Sequence, residues 1–311
     1  LKYFLSFCYF FLGVIGHVGA TFAQLPMQAV QVSESSYYVQ GYAALGNSQN
    51  KNFISNAGFI IGPTGVVVID ALGSPAVADE LISVIRKITV KPITHVIVTH
   101  YHADHVYGLQ SYKQVGAQVI AHTLGKSYLY SETTATRLAA SKKNISPWLD
   151  SVEKIIPADL WIDRQSIMQI AGLDLMIKPI GYAHTAEDLV VYLPSEKVLF
   201  AGDLIFSGRI PYVGNADSLG WVKALREVAQ MDINVLVAGH GKVSTQPRKD
   251  LQFVENYLLF LRTSMKQAAS EMEPFEEAYK KINWSQYAHI PLFNTANRIN
   301  AYNIYLALEK E

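Results

Sequence analysis

The sequence predicts an α/β fold on three observations. Apolar, β-branched runs of strand length recur along the chain, among them Val66-Val67-Val68-Ile69, Thr94 to Val98 and Val235 to Ala238. Stretches of helical period lie between them, such as Ser74 to Lys87 and Leu219 to Met231. Several strand-like runs end in His, Asp or Gly, which is where open α/β sheets build their sites. The alternation by itself says α/β and no more.

The chain has 311 residues, of which 50% are hydrophobic, enough for one large core or two small ones. Its opening reads as an export leader. Lys2 is basic, Tyr3 to Ala20 is almost wholly apolar, and no acidic residue comes before Glu34. Cleavage after Ala20 or Ala23 is expected, so residues 1–23 are read as a signal peptide. Residues 24–311 are read as a single domain with a C-terminal helical extension. The one cysteine, Cys8, falls in the leader, so the mature protein has no disulfide and no thiolate ligand. A periplasmic or secreted location follows, with no stable membrane association once the leader is removed. The formal net charge is +0, which gives no electrostatic footprint for nucleic acid.

Tyr37 to Gln40 opens the β region. Phe53 to Ile61 and Gly65 to Asp70 read as strands around the turn Gly62-Pro63-Thr64-Gly65. Ser74-Pro75 is a cap followed by a first-turn proline, and Leu81, Ile82, Val84, Ile85 and Ile88 give the helix that follows an apolar face. A second β-α pass has a strand over Gln118 to Ala121 and a helical stretch over Leu124 to Lys143. Strands joined at Ala171-Gly172 fill Asp163 to Ile180. Asp188 to Leu193 and Lys197 to Ala201 are joined by a Pro194-Ser195 turn. Ser207 to Ser218, rich in turn residues, is expected to border a pocket. Leu219 to Met231 reads as a helix, Pro247 to Glu277 as a long helical region, and the tail as helical near its end.

The chemistry is concentrated in Thr99-His100-Tyr101-His102-Ala103-Asp104-His105. His100 and His102 are two apart, so in extended chain they point the same way and can share a cation. Asp104 and His105 follow where the chain turns and can face a second one. Imidazole and carboxylate without thiolate suit zinc, with iron or manganese as further choices. His122, just after a strand, is read as structural.

These residues carry a resemblance to the metallo-β-lactamase superfamily of metallohydrolases. The signature continues with His184 in Gly181-Tyr182-Ala183-His184-Thr185, Asp203 in Phe200-Ala201-Gly202-Asp203, and His240 in Ala238-Gly239-His240-Gly241. The resemblance runs from about Tyr37 to about Lys242. It implies a four-layer αββα sandwich with a site along one edge of two sheets. It also implies two Zn2+ per chain: His100, His102 and His184 on the first, Asp104, His105 and His240 on the second, and Asp203 bridging both. Asp104 has a catalytic task as well, orienting a metal-activated water. Asp70 resembles the family's outer carboxylate, which holds a ligand by a hydrogen bond.

Two divalent cations offset by Asp104, Asp203 and a hydroxide leave about one positive charge, so a small anionic substrate is expected. The implied reaction is hydrolysis of an activated ester, thioester, lactone or lactam. Asp203 departs from the β-lactamase classes that carry Cys there, and Phe206 stands where one class has a substrate-gripping Lys. The metal ligands are closer to glyoxalase II, a thioesterase, although Gly241-Lys242 departs from its aromatic-bearing turn. The stretch Gly208 to Ser218 is similar to that of exported SoxH-like and quinoprotein-relay zinc metallohydrolases. A class B-like β-lactamase and a glyoxalase II-like thioesterase are the alternatives within hydrolysis. An iron-dependent enzyme of the sulfur-dioxygenase type is the alternative outside it. The sequence leaves the oligomeric state open.

Overall fold

The computed structural model describes residues 26–311. The expected leader and Cys8 lie outside the described residues. Two sheets pack face to face, with helices on both outer faces, which is the expected αββα sandwich.

The first sheet has seven strands in the order of the chain: β1 (Val30–Gln31), β2 (Ser36–Val39), β3 (Ala57–Ile61), β4 (Val66–Ile69), β5 (Ile93–Ile97), β6 (Gln118–His122) and β7 (Leu160–Ile162). Pairing is antiparallel up to β4 and parallel from β4 to β7. The parallel steps need crossovers, which helices supply. These are α1 (Pro75–Ile88), α2 (Ala103–Val106), α3 (Leu109–Gln114), α4 (Gly125–Leu129) and α5 (Glu132–Ile145).

The second sheet has the order β13-β11-β10-β9-β8, from β8 (Ser166–Ile170), β9 (Leu173–Pro179), β10 (Leu189–Leu193), β11 (Val198–Phe200) and β13 (Val235–Val237). A small parallel pair joins β12 (Phe206–Ser207) to β14 (His240–Gly241). The outer helices on this side are α6 (Ser218–Val228), α7 (Pro247–Ser270), α8 (Phe275–Lys281) and α9 (Phe293–Leu308). Among the described residues no helix is long and apolar enough to cross a membrane.

Strand alternation sorts the side chains into three cores. Val66 and Val68 of β4 face α1 and meet Val77, Leu81 and Ile85. Val67 and Ile69 of the same strand face the second sheet and meet Leu175, Ile177 and Val191. On the far side Val190, Leu199 and Leu236 pack against α6, α7 and α9 through Trp221, Leu258 and Ile304. All four side chains of β4 are buried, which is why its sequence is apolar throughout rather than alternating.

Two expected helical stretches are interrupted. Leu124 to Lys143 divides into α4 and α5 because Ser131 takes an extended backbone and its hydroxyl accepts from Thr134 N. Pro247 to Glu277 divides between α7 and α8, where Met272 has φ +54 and Pro274 follows. Proline offers no N–H and disfavours helical backbone at the residue before it. The Ser74 cap is as expected, with its hydroxyl accepting from Val77 N.

Candidate metal centre

The edge where both sheets end is built from loops that follow four strands. Beyond β5 the chain carries Thr99 to His105, with Asp104 and His105 on the single turn of α2. Between β9 and β10 lies His184. Just past β11, a 3-10 turn over Gly202–Leu204 holds Asp203. Past β13, His240 stands on β14, paired with Phe206. Leu189 N donates to Thr99 O at 3.0 Å, tying the start of β10 to the His100 loop. Asn56 binds the His240 turn: its Nδ2 donates at 2.8 Å to Ala238 O and Gly241 O, and its own N–H to Gly239 O at 2.7 Å.

All seven sequence-predicted residues converge here in two groups. His100, His102, His184 and Asp203 form one, and Asp104, His105 and His240 the other. Within each group one donor atom per residue lies within 4.8 Å of the rest. In the first, His184 Nε2 is 3.0 Å from His102 Nδ1 and 3.3 Å from Asp203 Oδ2. In the second, His240 Nε2 is 3.3 Å from Asp104 Oδ2 and His105 Nε2 is 3.6 Å from it. Asp203 touches both groups. Its Oδ1 is 3.2 Å from His105 Nε2, and its Oδ2 is 3.3 Å from both His184 Nε2 and His240 Nε2.

Glycines on either side permit this approach. A Cβ on Gly239 would stand 2.0 Å from Asp203 Oδ1. Gly202 has φ +51, and a Cβ there would meet the Thr99 side chain at 2.6 Å.

An outer set of hydrogen bonds fixes the rings. Asp70, at φ +66, ends β4. Its Oδ1 accepts from Thr99 N at 2.8 Å, and its Oδ2 from Thr99 Oγ1 at 2.9 Å. The same Oδ2 is 2.9 Å from His105 Nδ1, which turns Nε2 of that ring toward Asp203. His240 Nδ1 donates to Ile54 O at 2.7 Å, leaving its Nε2 toward the two carboxylates. Thr99 Oγ1 lies 3.1 Å from His100 Nδ1.

In the first group the protonation states suit cation binding. Burial drives the imidazoles of His102 and His184 down to about 4 and about 3, and His100 well below its ordinary value, so these rings are neutral donors. Burial opposes charge on Asp203 and Asp104, yet the adjoining His240 and His105 outweigh it and hold both carboxyls low. His105 and His240 in turn are raised against burial by those carboxylates. The buried atoms His100 Nε2, His105 Nε2 and Asp203 Oδ1 have no hydrogen-bond partner. An unmatched buried polar atom costs about 1–3 kcal/mol. Three of them converging on one place fit a pair of divalent cations, with N and O donors of the kind zinc takes.

The centre opens into a cavity of about 880 Å³. His102, Asp104, His184, Asp203 and His240 line its floor. Asp104 is 15% exposed and Asp203 4%, so Asp104 is the carboxylate that reaches the open space. Arg209 also lines the cavity. It is 93% buried, by its 7% exposure, and its guanidinium rests over the Phe206 ring at 5.6 Å with Nε unpartnered. Its loop is clamped by Asn300 of α9, which accepts from Val213 N at 2.9 Å and donates to Pro211 O at 2.7 Å. Ser207 to Ser218 therefore borders the cavity as expected. His122 does not line it.

Sequence reasoning passed over Asn56, Asn300 and the cavity face of α5. Asn56 and Asn300 work through partners 182 and 89 residues away, and no local pattern marks them. The face of α5 stayed unmarked because Thr133, Arg137, Ser141 and Asn144 read as the polar outer face of any surface helix.

Comparison with known proteins agrees with this arrangement. Residues 51–240 match the family model of the metallo-beta-lactamase superfamily. A metallo-beta-lactamase type 2 of Bacillus cereus is 27% identical over 221 residues, covering 69% of this chain and 77% of that protein. A metallo-beta-lactamase from Pontibacter korlensis has a similar structure, with TM-score 0.58 and 22% identity, covering 75% of this chain and 99% of that one. The sec-alkyl sulfatase PisA1, in a double-mutant structure, matches at TM-score 0.70 and 17% identity, covering 90% of this chain and 50% of the sulfatase. Fold, paired His/Asp groups and family match agree, and the chain belongs to the metallo-beta-lactamase superfamily of metal-dependent hydrolases.

Proposed function

We propose that this chain is an exported dinuclear zinc hydrolase that opens an activated ester, thioester, lactone or lactam. The observation that carries the reading is Asp203, whose Oδ2 lies 3.3 Å from a ring of each His/Asp group while its Oδ1 faces His105, on the floor of one cavity. We assign His100, His102 and His184 to the first cation, Asp104, His105 and His240 to the second, and Asp203 to both. Bound there, two divalent cations supply Lewis acidity and a nucleophile derived from water at neutral pH.

The chain's own residues do the rest. Asp104 reaches the cavity and accepts a hydrogen bond from the attacking water, aiming it at the carbonyl carbon. The proton that water gives up leaves with the departing oxygen, nitrogen or sulfur, and Asp104, more exposed than Asp203, can carry it there. The rings of His100, His105 and His240 stay in place because Thr99, Asp70 and the Ile54 carbonyl hold their outer nitrogens. Arg209, buried without a carboxylate beside it, receives an anionic group of the substrate.

Asp203 where β-lactamase classes carry Cys, together with the Gly208 to Ser218 stretch, supports placement with the SoxH-like and quinoprotein-relay zinc metallohydrolases. Lys2 and the apolar run to Ala20 support export, with residues 24–311 as one domain. N-terminal sequencing of protein from its host checks the cleavage, expected at Thr21 or Gln24, and an intact Lys2 end in a membrane fraction would contradict it.

The test of function is a panel of nitrocefin, S-lactoylglutathione, aryl esters, lactones, alkyl sulfates and phosphodiesters, offered to zinc-loaded and iron-loaded protein. Zinc-dependent turnover of an acyl substrate is the expected outcome. Activity only with iron, as oxidation of a thiol or persulfide, would move the protein to the redox alternative.

A further inference from the structure

The cavity is lined by a second arginine besides Arg209, Arg137 of α5. One face of α5 turns toward the open space through Thr133, Arg137, Ala140, Ser141 and Asn144, at spacings of one helical turn. The opposite face is apolar and buried, through Leu138 and Ile145. Thr133, Arg137, Ala140 and Asn144 are exposed, so this face is the outer wall of the cavity, open both to an occupant and to solvent.

Arg137 is the charged member of that face. It forms no ion pair among the described residues. Its guanidinium lies over the Tyr128 ring at 5.7 Å, and Nη1 is 3.5 Å from Tyr128 Oη. An aromatic platform holds a guanidinium in place without using its hydrogen-bonding fork. The fork is thus left for an acceptor that the chain itself does not supply. Arg137 and His102, one of the seven predicted ligands, line the same cavity. Arg209 likewise rests on an aromatic ring, that of Phe206.

We propose that Arg137, held on Tyr128 and flanked by Thr133, Ser141 and Asn144, forms a second oxyanion subsite, so that the substrate carries a carboxylate, sulfonate or phosphate remote from the bond that is cleaved. This deepens the hydrolase reading and rests on it for the word substrate, but the subsite stands or falls by binding alone. A guanidinium fork meets a planar carboxylate or two oxygens of a tetrahedral anion in the same bidentate way. The hydroxyls of Thr133 and Ser141 and the Asn144 amide can donate to the remaining lone pairs. A simple monoanion would be satisfied at the metal centre and Arg209. An elongated dianion reaches α5 as well.

Calorimetric titration of the zinc-loaded chain with two ligand series tests this. Straight-chain monoacids from acetate to hexanoate form one series, and diacids from succinate to suberate the other. The expected result is tighter binding of at least one diacid than of its monoacid counterpart, and a fall of about tenfold in that affinity on Arg137→Gln. Such a fall corresponds to about 1.4 kcal/mol. Monoacid affinity should stay the same in the variant, and Arg137→Lys should recover only part of the diacid preference. Sulfonate- and phosphonate-terminated analogues of the best diacid identify the group by which loses most affinity on Arg137→Gln. Equal affinities for diacid and monoacid, or no diacid loss in the variant, would overturn the subsite. Arg137-dependent diacid binding in a protein that hydrolyses nothing in the substrate panel would overturn the hydrolase reading and leave the subsite standing.

Discussion

The two His/Asp groups share Asp203 but are built differently. The first draws its three rings from two loops and consists of neutral imidazoles. His184 Nδ1 is buried without a partner, and only His100 has an outer hydrogen-bonding group, Thr99 Oγ1 at 3.1 Å. The second has its own carboxylate, Asp104. Its two rings are anchored from behind, His105 by Asp70 at 2.9 Å and His240 by the Ile54 carbonyl at 2.7 Å. The first is a nitrogen-rich pocket that leaves a cation's charge largely uncompensated. The second neutralises more charge and exposes Asp104 to the cavity. In the proposed reaction this difference would give polarisation of the substrate mainly to the first group and orientation of the nucleophile to the second.

The comparison can be broken at its shared point. Asp203→Asn removes the charge that both groups use, and kcat is expected to fall by about 10³-fold or more, about 4 kcal/mol of barrier, read in steady-state kinetics. Asp104→Asn touches the second group and the nucleophile. It should lower kcat by on the order of 10²-fold, or about 2.7 kcal/mol, and weaken one cation only. Near-native turnover in that variant would remove Asp104 from the mechanism.

Asp70→Asn separates the groups further, because Asp70 holds His105 directly and reaches the first group only through Thr99, whose hydroxyl lies 3.1 Å from His100 Nδ1. Affinity for the second cation should drop roughly 10–100-fold, with a smaller loss at the first, as followed by competition with a chromophoric chelator. Equal weakening of both cations would show that the groups are not separable. The smallest effect is expected from His122→Ala. His122 ends β6 away from the cavity lining, and kcat should change by less than about twofold. A loss as large as that of Asp104→Asn, with unchanged thermal stability, would mean the centre extends farther than the cavity shows.

How much of this was legible in the sequence follows from the range of the interactions. The ligands from His100 to His105 were legible because strand-then-turn geometry gathers them within one short loop. His184, Asp203 and His240 were legible through the turns that carry them and through resemblance, since nothing local says that three distant loops meet. The strands Val66–Ile69 and Val198–Phe200 showed themselves by composition, but which sheet face each side chain meets did not, because both faces are buried. The helix break at Ser131 was hidden, as a serine inside a helical pattern reads equally as a surface residue or a cap. Arg137 and Asn300 stayed silent for another reason: what each does depends on elements it reaches only after folding.

In the proposed enzyme one carboxylate, Asp203, joins the two groups into a single dinuclear centre. Zinc titration of the metal-stripped chain, run beside Asp203→Asn, puts this to the test. Close to two equivalents are expected to bind the native chain, and the variant is expected to lose tight binding at one position or both. A native chain that binds one equivalent with no gain on further addition would contradict it, as would an Asp203→Asn chain that binds two with unchanged affinity.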